Sequence, residues 1–214
     1  MAKPKSSYTV IKDTREQDGW FFSPYDRCKG MEVATMKTGD YTIKGHEDLV
    51  CIERKGSVTE IATNLGKKKK PFQAEMERMK SFDFRFILLE FSASDVINYP
   101  FSLLSTEEKL LYDYYKVQDI RNFFQLYEDI YDKPAESFEL PRFKRFEVVE
   151  QTKITGKYLI KSLMEISIRY NISVIFCDNK NNAFLICNSI FKRLSDFLDK
   201  GSDGETQKEK VFNF

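Results

Sequence analysis

The chain has 214 residues, 42% of them hydrophobic and 31% charged, with a formal net charge of +1. That length builds one full core and hardly two, and near-neutrality excludes a simple polybasic coat for nucleic acid. The charge is nevertheless segregated, with 17 basic and 14 acidic residues in 1–91 but 4 and 10 in 92–140. Residues 141–200 carry 11 and 6, and the last fourteen carry 2 and 3. One surface can therefore be basic on a neutral molecule.

No run approaches the roughly 18 consecutive apolar residues of a spanning helix. Met1 to Ser7 is polar, with no apolar segment behind it, and does not read as a secretory signal. Cys28, Cys51, Cys177 and Cys187 show no C-x-x-C spacing, and His46 is the only histidine. A structural zinc site and two-histidine zinc hydrolysis are both unexpected. The thiols read as reduced, which predicts an intracellular protein, nuclear or in the cytoplasm of a prokaryotic or phage-infected cell. His46 falls in the turn Gly45-His46-Glu47-Asp48 and reads as solvated.

In chain order, Tyr8 to Lys12 is β-branched and aromatic, a first strand ending at Asp13. An irregular stretch with Gly19, Pro24 and Gly30 follows. Residues 41–44 and 49–54 read as a hairpin around the Gly45–Asp48 turn. Ser57 with Glu60 three places on marks the start of a short helix to Leu65. The lysine run Lys67 to Lys70 reads as a loop before a helix with Phe72, Met76 and Met79 on one side. Phe84 to Phe91 is apolar enough to lie centrally in a sheet.

The acidic segment beyond it predicts one helix, capped by Ser105 or Thr106 and ending near Tyr131. That helix carries Leu110, Leu111, Tyr114, Tyr115, Phe123, Phe124 and Tyr127. Residues 137–149 read as irregular, with a basic patch at Arg142, Lys144 and Arg145. Then come a helix over 152–170, a strand over 172–177 and a helix from Asn181 or Asn182 to about Asp199. The expected domain is 1–200 with a helical insertion at about 92–150, followed by a disordered tail over 201–214. The order predicts an α/β class with a mixed central sheet flanked by helices.

Gly39-Asp40 and Glu53-Arg54-Lys55 carry the chemistry. Alternation along a strand sends Glu53 and Lys55 to one face and Arg54 to the other. A hairpin with a short turn returns Asp40 to the neighbourhood of Glu53. Two carboxylates and an ammonium then converge, a set of hard oxygen ligands suited to Mg²⁺ or Mn²⁺ and to phosphodiester hydrolysis. The Arg54 carbonyl is a further candidate ligand. On these residues alone a solvated, salt-bridged strand is the better reading, because Glu-x-Lys pairs are common on surfaces.

More of the chain bears on that choice. Val10-Ile-Lys-Asp-Thr-Arg-Glu16, Thr38-Gly-Asp-Tyr41 and Val50-Cys-Ile-Glu-Arg-Lys55 together resemble the nuclease domain of the XPF-type structure-specific endonucleases, whose signature is GD followed by ERK-x-x-x-D. The resemblance covers most of 8–91 and 152–198. It implies a restriction-endonuclease-like fold and Mg²⁺- or Mn²⁺-dependent cutting of branched DNA, such as flaps, forks or junctions, in repair, recombination or replication. By position, Asp40 and Glu53 match the metal-binding carboxylates and Lys55 the catalytic lysine. Asp13 and Glu16 match additional acidic residues, Asp13 toward the metal and Glu16 toward catalysis. Arg54 matches the motif arginine, a phosphate contact or a support for the acids. Arg15, Arg78 and Lys67, Lys68, Lys69 and Lys70 are expected on the DNA, and Gln73 and Arg78, on the helix after the lysine run, are looser matches to the family.

Three departures stand out. Thr59 occupies the position of the motif's last Asp, with Glu60 beside it. No tandem helix-hairpin-helix segment follows in this chain, and the insertion is long, acidic and aromatic. Structure selectivity would then come from a homodimer, the insertion or a separate DNA-binding partner. No membrane partner is expected. The aromatic stripe of 110–127 reads as core or a dimer face before a base-stacking surface, and Val211 to Phe214 as an end without local packing. A catalytically silent scaffold on the same fold, binding branched DNA or a partner nuclease, is the alternative reading. A sequence-specific restriction-type enzyme would share the chemistry.

Overall fold

The structure is a computed structural model that describes residues 6–117, 119–134 and 140–201, with the side chains of 120, 140–144 and 199–201 outside that description. The expected disordered tail beyond Gly201, its Val211–Phe214 end and the basic side chains Arg142 and Lys144 fall outside the described residues. No described helix is long and apolar enough to cross a membrane.

Six strands form one mixed sheet: β1 (Tyr8–Asp13), β2 (Cys28–Ala34), β3 (Tyr41–Ile43), β4 (Val50–Lys55), β5 (Phe84–Leu89) and β6 (Ser173–Phe176). Their order across the sheet is β2-β1-β3-β4-β5-β6. β1 with β2, β4 with β5 and β5 with β6 are parallel, whereas β3 is antiparallel to both its neighbours. The α/β class and the helix-flanked mixed sheet are those expected. The hairpin over β3 and β4 also forms where alternation placed it.

β2 corrects the irregular reading of the segment after β1. It is an edge strand whose last three residues, Glu32, Val33 and Ala34, are all exposed, and Gly30 within it has φ of +116°. Neither feature leaves an apolar alternation to read. Its parallel pairing to β1 requires a crossover, and residues 14–27 supply one without a helix. That crossover is anchored by Trp20 and Phe22, both buried with Tyr41, Ile43 and Ile52 against α8 (Lys180–Gly201). Bidentate Arg27–Asp196 bonds of 2.6 and 2.9 Å tie its end to the same helix.

The other sheet face carries α1 (Val58–Leu65) and α2 (Lys69–Met79). Ser57 accepts from the Glu60 amide at 3.1 Å, and Glu60 in turn accepts from the Gly56 amide, so the expected cap forms. In α2, Phe72, Met76 and Met79 are the buried side chains, the three the spacing selected. The helix begins inside the lysine run, so Lys69 and Lys70 lie in its first turn and not in a loop. Residues of α1 and α2 also line a small cavity of about 40 Å³ with Ser162, Ile166 and Tyr170 of α7 (Gly156–Tyr170).

The chain divides into two compact units, 1–92 with 162–214, and 93–161. The second unit contains α3 (Ala93–Ile97), a 3₁₀ turn (Phe101–Leu103), α4 (Thr106–Lys116), α5 (Ile120–Tyr131), α6 (Leu140–Gln151) and the start of α7. Where one helix was expected over 106–131, two form. The break at 117–119 is fixed by Asp119, whose side chain accepts from the Asn122 amide and caps α5. α6 replaces an expected irregular stretch, because Pro141 falls in a first turn, where its missing N–H costs nothing. Of the aromatic stripe, Leu111, Phe123 and Tyr127 are core together with Tyr112, Phe146 and Val149, Tyr115 and Phe124 pack against them partly buried, and Leu110 and Tyr114 are exposed. Ser105 and Glu108 exchange both bonds of a capping box at the start of α4, and Arg145 pairs with the buried Glu108 at 2.9 Å. Ser105→Ala therefore removes about 1 kcal/mol from the stability of this unit, to be read from its unfolding transition in urea.

Candidate active site

The site is built where β3 enters the sheet beside β4. Tyr41 stands opposite Ile52 in that antiparallel pair, so the next position along sets Asp40 opposite Glu53. The Asp40 amide donates to the Ile52 carbonyl at 2.8 Å, and Asp40 Oδ2 accepts from the Arg54 amide at 2.7 Å. Gly39 makes this approach possible. Its φ is +80°, and a Cβ there would meet Cys51 Sγ at 2.5 Å and the Ile52 carbonyl oxygen at 3.2 Å. No other residue fits a bend so tight against the neighbouring strand.

Glu53 and Lys55 share a face of β4 and are 4% and 5% exposed. Lys55 Nζ donates to Glu53 Oε1 at 2.6 Å and lies 3.4 Å from Glu60 Oε1. Glu53 Oε2 has no hydrogen-bond partner although it is buried. Burial, the Asp40 charge and then Glu75 push the Glu53 carboxyl well above its usual range, with Lys55 opposing. Asp40 moves the same way, to about 7, through burial above all, with Glu16 and Glu75 adding to it against the Arg54 amide and Lys55. Burial would lower the Lys55 ammonium, but its attraction to Glu53 outweighs that and holds it above its ordinary value.

Arg54 points the other way, as alternation required. Its guanidinium donates to Glu90 at 2.8 and 2.6 Å and to Glu16 at 3.4 Å. Trp20 Nε1 also donates to Glu90, at 2.7 Å. Arg54 and Glu16, expected as catalytic, thus join a buried ion network on the Trp20 side of the sheet. Of the two roles open to Arg54, the geometry matches support of the framework. Asp13, expected as a metal ligand, is turned to a different use. Its two oxygens take four N–H groups, from Arg15 N and Nε at 2.7 Å, Arg15 Nη2 at 3.0 Å and the Met36 amide at 2.7 Å. Burial opposes its charge, and these bonds overcome that and lower its carboxyl below the ordinary value. Asp13 folds the loop after β1 and keeps no oxygen free for an ion.

Beside Lys55 opens a cleft of about 600 Å³. Lys68 and Arg78 line it, together with Thr59, Glu60 and Glu75. Arg78 Nε donates to Thr38 Oγ1 at 3.0 Å, which links α2 to the turn before Asp40. All four lysines of 67–70 are exposed. Lys69 and Gln73 line the small cavity facing α7 and not the cleft. Arg15 is 67% exposed while held to Asp13. Sequence reasoning missed Glu90 and Glu75. Glu90 directly follows an apolar strand and gives no local signal. Glu75 has one: it lies three residues after buried Phe72 and four before buried Met79, at the flank of the buried face of α2.

Among the described residues, no three His, Cys, Asp or Glu side chains already form a metal cage. The donor set still fits a hard divalent cation. A buried carboxylate, Glu53, is repelled by the half-buried Asp40, one oxygen is orphaned, and a lysine ammonium occupies the position of positive charge.

A family model for the ERCC4 domain matches residues 13–189. No curated protein matches the chain. Among solved structures, the chain is similar to XPF from Aeropyrum pernix, at 14% identity and a TM-score of 0.44, over 96% of this chain and 66% of that one. It is also similar to XPF from Aeropyrum pernix in complex with DNA, at 14% identity and a TM-score of 0.41, over 93% and 68%. The chain thus spans a little under two thirds of the first of these structures. The family match runs from the end of β1 into α8 and includes Asp40, Glu53, Arg54 and Lys55, and on it the chain belongs to the ERCC4 domain family.

Proposed function

We propose that the chain is a divalent-metal-dependent DNA endonuclease that hydrolyses phosphodiester bonds at branched DNA. The observation that supports this most is the unpaired, buried Glu53 Oε2 beside Asp40 and Lys55. An orphaned carboxylate oxygen costs on the order of 1–3 kcal/mol or more, and folding tolerates it here next to a second carboxylate raised by the same crowding. A cation held by Asp40 and Glu53 would remove both costs.

Asp40 and Glu53 would hold Mg²⁺ or Mn²⁺, with the Arg54 carbonyl as a further ligand. The bound ion would supply a water of lowered pKa and positive charge for the phosphoryl oxygens. The protein's own residues do the rest. Lys55 keeps its proton, so it acts as a donor and a fixed positive charge at the oxygens of the pentacoordinate phosphorus, not as a base. Glu60 holds the ammonium from the other side, which gives the acid next to Thr59 a supporting part. Asp13, Arg15 and the Arg54–Glu90–Glu16 network keep the strand ends rigid.

Lys68 and Arg78 on the cleft wall, with the exposed Lys67, Lys69 and Lys70, form the phosphate-holding surface of this reading. Lys69 and Lys70 stand in the first turn of α2, where the helix end is already positive. This costs the helix a little and suits a polyanion. Changing Lys67–Lys70 to Ala should weaken binding to every DNA. It should also flatten the logarithmic salt dependence by about 0.9 for each phosphate that the lysines no longer neutralise, measured by fluorescence anisotropy. An unchanged slope returns the run to solvent.

The function is tested by one gel comparing duplex, single-stranded, flap, fork and four-way-junction DNA with Mg²⁺, Mn²⁺ or chelator. Cutting of branched substrates only with metal is the expected result. Cutting of plain duplex at one sequence favours a restriction-type enzyme, and binding without cutting favours a silent scaffold.

A further inference from the structure

We propose that Glu60 is the positioning residue of Lys55. Its two carboxylate oxygens fix the backbone just after the lysine and the direction of the ammonium, so that a donor is left facing the cleft. The inference rests on the endonuclease reading of the site and assigns the negative charge of Glu60, apart from its cap, to the chemistry.

Lys55 is the last residue of β4, and its carbonyl accepts from the Glu90 amide at 3.0 Å. Beyond it the chain leaves the sheet, and the next amide, that of Gly56, is held by Glu60 Oε2 at 3.0 Å. The other oxygen, Glu60 Oε1, lies 3.4 Å from Lys55 Nζ. Glu60 is itself placed by the start of α1, where its amide donates to Ser57 Oγ at 3.1 Å. One carboxylate thus meets the lysine at both ends, and the turn that opens a helix decides where that carboxylate stands.

The ammonium is enclosed on three sides. Glu53 Oε1 accepts from it at 2.6 Å, Glu60 flanks it, and the ring of Phe72 has its centroid 5.4 Å away. The direction left open is the cleft, which Lys55 lines with Lys68 and Arg78. An ammonium on a four-carbon stem has three donors and little directional preference of its own. Held by Glu53 alone, it would pivot about that one bond. The second carboxylate removes the pivot.

Magnitudes separate this part from a stabilising one. The Glu60 side chain is 44% exposed, and an ion pair so open to water contributes only about 0–1 kcal/mol to stability. Displacing a reacting group by about 1 Å, in contrast, costs on the order of 10²-fold in rate. The signs differ as well. A bystander acid on the wall of a phosphate-holding cleft repels the substrate, so its loss would tighten DNA binding and leave the rate alone or raise it.

The test compares the whole chain as wild type and as Glu60→Gln, on whichever branched DNA wild type cuts fastest. Three quantities are measured: the single-turnover rate at saturating protein and Mg²⁺, DNA affinity in chelator by anisotropy, and the urea unfolding midpoint. Glutamine serves this capping position as glutamate does, so Glu60→Gln should keep the wild-type midpoint. Its affinity should be unchanged or tighter, while the rate falls by about 10- to 100-fold. If the rate of Glu60→Gln equals that of wild type, or falls only together with the midpoint or the affinity, Glu60 is a cap alone and the proposal fails. If wild type cuts none of the branched DNAs, the endonuclease reading falls and the inference with it.

Discussion

Asp40→Asn and Glu53→Gln are each expected to lower metal-dependent cutting by on the order of 10³-fold, and Asp40→Asn to do so without destabilising the metal-free protein. Glu53→Gln also strips the buried Lys55 ammonium of its partner, so only the Asp40 variant separates chemistry from stability. The Asp40 carboxyl is pushed up by burial and by the neighbouring acids, so its ionised form works against the metal-free fold. For Asp40, at about 7 in the folded chain against 3.8 as its ordinary value, the native state binds the proton more tightly. Stability without metal therefore falls as pH rises from about 4 to about 7. Asp40→Asn should flatten that part of the profile, because an amide cannot titrate, and its oxygen still accepts from the Arg54 amide. Cation binding runs the opposite way, strengthening over the same interval as the proton leaves. Thermal melts across pH, with and without Mg²⁺, check both signs. A wild-type melting temperature that rises through this interval without metal would show that the carboxylates are compensated from within the protein.

Arg54→Met has the largest expected effect on folding. It leaves Glu90, with a side chain 5% exposed, facing only Trp20, and removes the partner of Glu16. Breaking a buried pair from one side costs about 3–5 kcal/mol, a large share of the stability of a domain this size. Adding Glu90→Gln removes the stranded charge while keeping an oxygen for Trp20 Nε1, so the double variant should regain about 2 kcal/mol. Urea unfolding of the two single variants and the double supplies the cycle. The same series separates framework from chemistry. If Arg54 served only the phosphate, activity would fall with the unfolding midpoint unmoved.

What the sequence disclosed follows the range of the forces involved. Strand alternation alone put Glu53 and Lys55 together and Arg54 apart, and the hairpin register then set Asp40 opposite Glu53. Helix spacing named Phe72, Met76 and Met79 as the buried side of α2. What stayed hidden depended on distant partners. Glu90 gains its meaning from Arg54, 36 positions away, and from Trp20, 70 positions away. Asp13 was expected as a ligand because it matches an acidic position of the family. Its commitment to Arg15 and to the Met36 amide is a matter of loop geometry that no spacing expresses. β2 lacked a pattern because an edge strand needs none, and the break between α4 and α5 lay where apolar spacing ran on unbroken. Glu75 had a usable signal in its position beside a buried helical face, one that counts only once α2 is known to lie over β4.

The most direct measurement is anomalous diffraction from crystals of the chain grown with Mn²⁺. One ion is predicted, bound by Asp40 and by Glu53 through its orphaned Oε2. Crystals saturated with manganese in which the metal lies elsewhere or nowhere would contradict this.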